Sequence, residues 1–154
     1  MEGGSMSSII NALYELKYNP FKYGEYIASF YSTIHNVDNN ILLANLVIPL
    51  CSHPIFGRKL KNANIKSSIW TIFDDPTKLY DLQERIYKFQ GLTEQCIQYC
   101  LVNDWIYLET DSLTISFNNK AEETLMIQKN AMNLGRLLSG HSVVEIFSIL
   151  GVKP

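Results

Sequence analysis

One change of rhythm constrains this chain more than any other feature. Through most of its length apolar residues recur at helical spacing, but in "WIYLETDSLTISF", Trp105 to Phe117, the period drops from about 3.6 to 2. Trp105, Tyr107 and Glu109 alternate with Ile106 and Leu108; Leu113, Ile115 and Phe117 alternate with Thr114 and Ser116. Asp111-Ser112 supplies turn chemistry between the two runs, so a β-hairpin is predicted, the only sheet of any size.

Helices are expected on both sides of it. Ser7 or Ser8 caps a first helix carrying Ile9, Ile10, Leu13, Tyr14 and Leu16, and Asn19-Pro20 breaks it. A second helix is expected from near Phe21 to about His35, and a third from about Asn39 to Leu50, limited by Pro49 and Pro54. "IFGRKLKNANIK" reads as a short helix or loop, and "SSIWTIF" as a helix capped by Ser67 or Ser68. Pro76 opens a helix over about Thr77 to Phe89, Gly91 stops it, and Leu92 or Thr93 opens the helix that leads into the hairpin. Last come a long helix over about Ala121 to Leu138, a stop at Ser139-Gly140, and a short helix from Ser142 to Leu150 closed by Gly151. Helix, helix, helix, hairpin is winged-helix order. The expectation is one mainly α domain over 1–154, of winged-helix type with one hairpin wing and extra flanking helices. Within it, residues 1–6 read as disordered or added ahead of Met6, about 65–117 as the winged-helix-like core, and 120–154 as C-terminal helices.

A winged helix normally reads DNA through the helix ahead of its wing. Here that helix would present Thr93, Glu94, Gln95, Gln98 and Asn103. Glutamine and asparagine can read adenine, but affinity for DNA needs lysine or arginine against phosphate. From Phe89 to Asn119 there is none, while Glu94, Asp104, Glu109 and Asp111 are present. The net charge of −2 adds no global pull toward a polyanion. The module is therefore expected to grip protein, with Tyr107 and Glu109 as candidate contacts. The densest basic cluster, Arg58, Lys59, Lys61 and Lys66, is a candidate contact for a DNA backbone or a partner, against the blander reading of a solvated helix face.

Signals for chemistry are thin. There is no glycine-rich phosphate loop and no nucleophile elbow. His35, His53 and His141 are dispersed, and His53 reads as a helix-end or core histidine. Asp74-Asp75 and Glu122-Glu123 stand at helix starts, where capping and the helix dipole account for them. Cys96 and Cys100 would share a helix face but lack two further zinc ligands, so Cys51, Cys96 and Cys100 are read as buried thiols of a reducing cytoplasm. The run "ILLANLVIPLC" is about half the ~20 residues a membrane span needs. The expectation is a non-enzyme without metal or cofactor, off the membrane.

Four stretches carry a resemblance: "NPFKYGEYIASFY" (Asn19–Tyr31), "NLVIPLCSHPIFGRKL" (Asn45–Leu60), "ERIYKFQGLTEQCIQYCLVNDWIYL" (Glu84–Leu108) and "NLGRLLSGHSVVEIFSILGVKP" (Asn133–Pro154). In that order they resemble the middle component of bacterial three-component ABC systems, related to Lamassu-type anti-phage defence. The resemblance implies a non-catalytic adaptor between an SMC-like ABC ATPase and an effector, a nuclease or other toxic enzyme, with DNA met only within the complex. The competing reading is a stand-alone winged-helix transcription regulator. Within the tail, Gly135 inside a helix costs about 1 kcal/mol against alanine and points to close approach of another element. Arg136 beside it is a candidate for an ion pair with a partner or with the preceding helix. Docking of the last helices on the core is the alternative for both.

Overall fold

Asn19 and Pro20 start an element as well as ending one. Asn19 Oδ1 accepts a hydrogen bond from Lys22 N at 2.8 Å, and Pro20 takes the first helical position, where a missing N–H costs nothing. Helix α1 runs Pro20–Tyr31. It ends short of the expected His35 because the Thr33 hydroxyl reaches across the molecule to the Met132 carbonyl at 2.7 Å. The computed structural model describes residues 8–10, 13, 19–35 and 38–154. Ahead of α1, Ile9, Ile10 and Leu13 are helical and exposed; Tyr14 and Leu16 of the expected first helix lie outside the described residues.

A 3-10 turn over Asn40–Leu43 leads into α2, Ala44–Cys51. Leu46, Val47, Ile48 and Leu50 are completely buried, making α2 the centre of the core. Pro49 does not limit this helix, which continues to Cys51. Arg85 explains how its end is held: Nε and Nη2 donate to the Pro49 carbonyl at 3.2 and 3.1 Å, and Nη2 also donates to Ser52 Oγ at 2.8 Å. A cation at a helix C-terminus meets free carbonyls and the negative end of the dipole.

Helix α3 spans Phe56–Lys61 and α4 Ile69–Ile72. Ser68 and Thr71 cap α4 reciprocally. Asp75 caps a 3-10 turn over Pro76–Leu79, accepting from Thr77 N at 3.0 Å, where an α-helix was expected. The next helix, α5, is continuous over Leu82–Val102. Gly91 therefore does not stop it, and no separate helix opens at Leu92. Leu82, Ile86, Phe89, Leu92, Cys96 and Cys100 are all buried, so one apolar stripe passes straight through the glycine and outweighs its intrinsic cost.

Strands β1 (Ile106–Glu109) and β2 (Thr114–Phe117) form the expected antiparallel hairpin, with Ile106 opposite Phe117 and Glu109 opposite Thr114. The connection turns at Leu113, whose φ of 51° is left-handed. The outer edge of β2 is covered by the residues before α2: Asn40 Nδ2 donates to the Ile115 carbonyl at 2.9 Å and Ile115 N donates to Asn40 Oδ1 at 2.6 Å. A buried side-chain amide thus supplies both bonds that a third strand would give.

After the hairpin comes a 3-10 turn over Asn119–Glu123, then α6, Lys129–Leu138, instead of one long helix from Ala121. Two donors in the gap are taken by α1: Met126 N bonds to the Glu25 carboxylate and Gln128 N to Ser29 Oγ. Helix α7, Val143–Leu150, matches expectation, capped by Ser142 and closed by Gly151 at φ 69°. Helix α1 lies on α5 and α6, α2 on α5, and α3 on α6. The result is mainly helical with one two-stranded hairpin and flanking helices, an architecture compatible with the winged-helix class.

Candidate interaction surfaces

The C-terminal half of α5 and the hairpin make one continuous acidic end. Glu94, Gln95, Gln98 and Asn103 are exposed as the helix period requires, but Thr93 is buried, 1 % exposed, with its hydroxyl unpaired. Asp104, Glu109 and Asp111 are exposed, and no lysine or arginine occurs between residues 89 and 119. Tyr107, 51 % exposed, shares the outward face of β1 with Glu109, while Ile106 points inward. The aromatic support below runs from Phe21 to Tyr99 to Trp105 in edge-on contacts at 5.1 and 5.4 Å. This end offers an apolar ring inside a negative field, which suits a polypeptide better than a polyanion.

The predicted basic cluster divides. Arg58, Lys61 and Lys66 are exposed. Lys59 is committed internally: its Nζ reaches Asp74 at 3.0 Å and the Ile72 carbonyl at 3.3 Å, tying α3 to α4. This lysine holds the Asp74 carboxyl below the usual carboxylate range, and the Thr77 hydroxyl and N–H do the same for Asp75. The adjacent acids are thus a helix tie and a cap.

Gly135 is buried and unavailable to a partner. A Cβ there would overlap Thr33 Oγ1 and the Phe30 carbonyl and stand 3.3 Å from Ile34 N, so the missing side chain is what lets α6 close on the end of α1. Arg136, one residue on, is exposed and lines a groove of about 310 Å³ with Asn64, Ile65, Leu137 and His141. Lys129 lies exposed on the same helix; Ile65 of the groove is 93 % exposed, and Trp70 on α4 is 61 % exposed. The sequence had not singled these three out. For Ile65 the signal was an apolar side chain flanked by the polar Asn64 and Lys66.

Two of the three dispersed histidines do meet. His35 and His141 line a cleft of about 480 Å³ with Asp38. His141 Nδ1 lies 3.1 Å from Glu145 Oε1, Ser139 Oγ bonds to the Thr33 and Gly135 carbonyls, and Ser142 Oγ accepts from Glu145 N. Among the described residues neither imidazole bonds a hydroxyl or thiol. His53 is a helix-end residue: its Nδ1 accepts from Ile55 N and Phe56 N at 3.1 and 3.3 Å at the start of α3. Burial and the Arg85 charge lower its pKa.

All three cysteines are free and buried. Burial pushes Cys96 and Cys100 up to about 12 and raises Cys51 as well, which leaves them as unreactive thiols. Among the described residues no set of three His, Cys, Asp or Glu is placed to hold a metal ion, and no helix is long and apolar enough to cross a membrane.

Comparison with protein families matches residues 7–154 to the family described as ABC-three component (ABC-3C) system Middle Component 3. No curated protein and no solved structure matches the chain.

Proposed function

The chain belongs to the family of ABC-three component (ABC-3C) system Middle Component 3, and from that premise we propose that it is a non-catalytic adaptor. In this reading it links an SMC-like ABC ATPase to an effector, a nuclease or other toxic enzyme, in a prokaryotic anti-phage or anti-plasmid defence complex in the cytoplasm. The observation that carries the proposal is the match of a middle component over residues 7–154. The acidic end supports it: with Thr93 buried and Glu94, Asp104, Glu109 and Asp111 exposed, the helix ahead of the hairpin repels DNA and leaves Tyr107 free for a protein.

Co-expression with the ABC ATPase and effector of the same system tests this. The adaptor reading expects the three to co-purify, and expects Tyr107→Ala with Glu109→Lys to release one partner while the isolated variant stays folded. Tight sequence-dependent DNA binding by the isolated chain, with no ATPase retained, would instead identify a transcription regulator.

A further inference from the structure

Residues 39–73 and 124–144 contain no aspartate or glutamate, and they contain Arg58, Lys59, Lys61, Lys66, Lys129 and Arg136. The fold brings these two stretches together. Helix α3 rests on α6, Asn133 Nδ2 donates to the Leu60 carbonyl at 2.8 Å, and Arg136 shares its groove with Asn64 and Ile65. The carboxylates bordering this face are already engaged: Asp74 by Lys59 at 3.0 Å, and Glu145 by His141 at 3.1 Å. Arg58, Lys61, Lys66, Lys129 and Arg136 are exposed and form no ion pair among the described residues. A chain of net charge −2 has therefore brought two carboxylate-free cationic stretches together, on α3, the turn after it and α6.

We propose that this face holds the phosphate backbone of duplex DNA without regard to sequence. Three arguments select that occupant. Protein interfaces are depleted in lysine, whereas three of the five open cations here are lysines. Single-stranded sites stack successive bases on several aromatic rings, and Trp70 is the one exposed ring on α3, α4, α6 or the turn between α3 and α4. Spacing is also permissive: Lys129 and Arg136 stand about 10 Å apart along α6, while a duplex presents a charge about every 1.7 Å of its axis. Each cation finds a phosphate in any register, so contact carries affinity and no sequence information. This deepens the adaptor reading, on which it rests only for the setting in which DNA is met.

Anisotropy of a short labelled duplex of arbitrary sequence, titrated with the isolated chain over a salt series, tests the proposal. Five phosphate contacts correspond to a log–log salt slope near −4.5, a loss of about 500-fold between about 50 and 200 mM salt. Lys61→Gln with Arg136→Gln should weaken binding and make the slope shallower by about two, with an unchanged thermal melt. Lys120→Gln with Lys153→Gln, off this face, should change neither. The proposal is overturned if the duplex stays unbound at low salt, or if the control pair weakens it as much. It is also overturned if a single-stranded oligonucleotide or polyglutamate binds more tightly than the duplex. Repeating the pair in the co-purified ATPase complex separates the two readings. Loss of DNA affinity with assembly intact supports both; binding through these cations by a chain that retains no ATPase supports this one alone. Assembly with unaltered DNA affinity in the variant sinks this one alone.

Discussion

The side chain of Asn40 stands where a third strand would, and its removal leaves a buried N–H and a buried carbonyl of Ile115 unpaired. Each such orphan costs about 1–3 kcal/mol, so Asn40→Leu should lower stability by about 2–6 kcal/mol in urea unfolding; a loss under about 1 kcal/mol would show that the hairpin edge is held another way. Two helical glycines should respond with opposite signs. Gly135→Ala drives a methyl into the Phe30 carbonyl, an overpacking cost of about 1–3 kcal/mol. Gly91→Ala meets nothing within 4 Å and should gain up to about 1 kcal/mol. His53 supplies a pH signature. Its pKa is lowered below the ordinary 6.5 in the fold, so the unfolded chain binds the extra proton first. Stability is complete above about pH 6.5 and falls as pH drops toward the folded-state value; His53→Asn should flatten that slope in pH-dependent melts. Of these, only the close packing at Gly135 and the helix-end place of His53 were legible in advance. Asn40 stands just ahead of an apolar run and bonds a residue 75 positions away, which no local pattern encodes.

At the scale of elements, what could be read was what the chain settles locally. Ser142 and Gly151 bound α7, Ser68 caps α4, and the alternation from Ile106 to Phe117 gives the hairpin. Errors arose where distant groups decided. The long helix expected from Ala121 is interrupted because Glu25 and Ser29 of α1 take the Met126 and Gln128 donors. Pro49 does not end α2, where Arg85 from α5 satisfies the last turn. Hydrogen bonds to a charged group contribute about 1.5–3 kcal/mol, so Arg85→Met should cost about 2 kcal/mol while leaving helical content near native by circular dichroism. The ion pair of Lys59 with Asp74 joins exposed groups, and Asp74→Ala should leave the thermal melt nearly unchanged. An α3 that detaches in that variant, seen as faster amide exchange over Phe56–Lys61, would mean the tie matters more than its exposure implies.

Two parts of the described molecule carry opposite charge. The hairpin and the second half of α5 carry carboxylates and no cation, while α3 and α6 carry cations and no carboxylate. The acidic end was visible in the sequence because its residues are contiguous from 89 to 119. Most of the basic end was visible, from Arg58 to Lys66; Lys129 and Arg136 join it only when α6 folds back on α3. Membership of the family was legible only through ordered motifs, since a surface that binds protein needs no fixed residue pattern. One pull-down bears most directly on the adaptor account: the tagged chain expressed with the ABC ATPase of its own system. A stable complex retained through washing, with no sequence preference in the DNA that the free chain binds, is the expected result. A chain that leaves the ATPase behind and protects one defined DNA sequence on its own would contradict it.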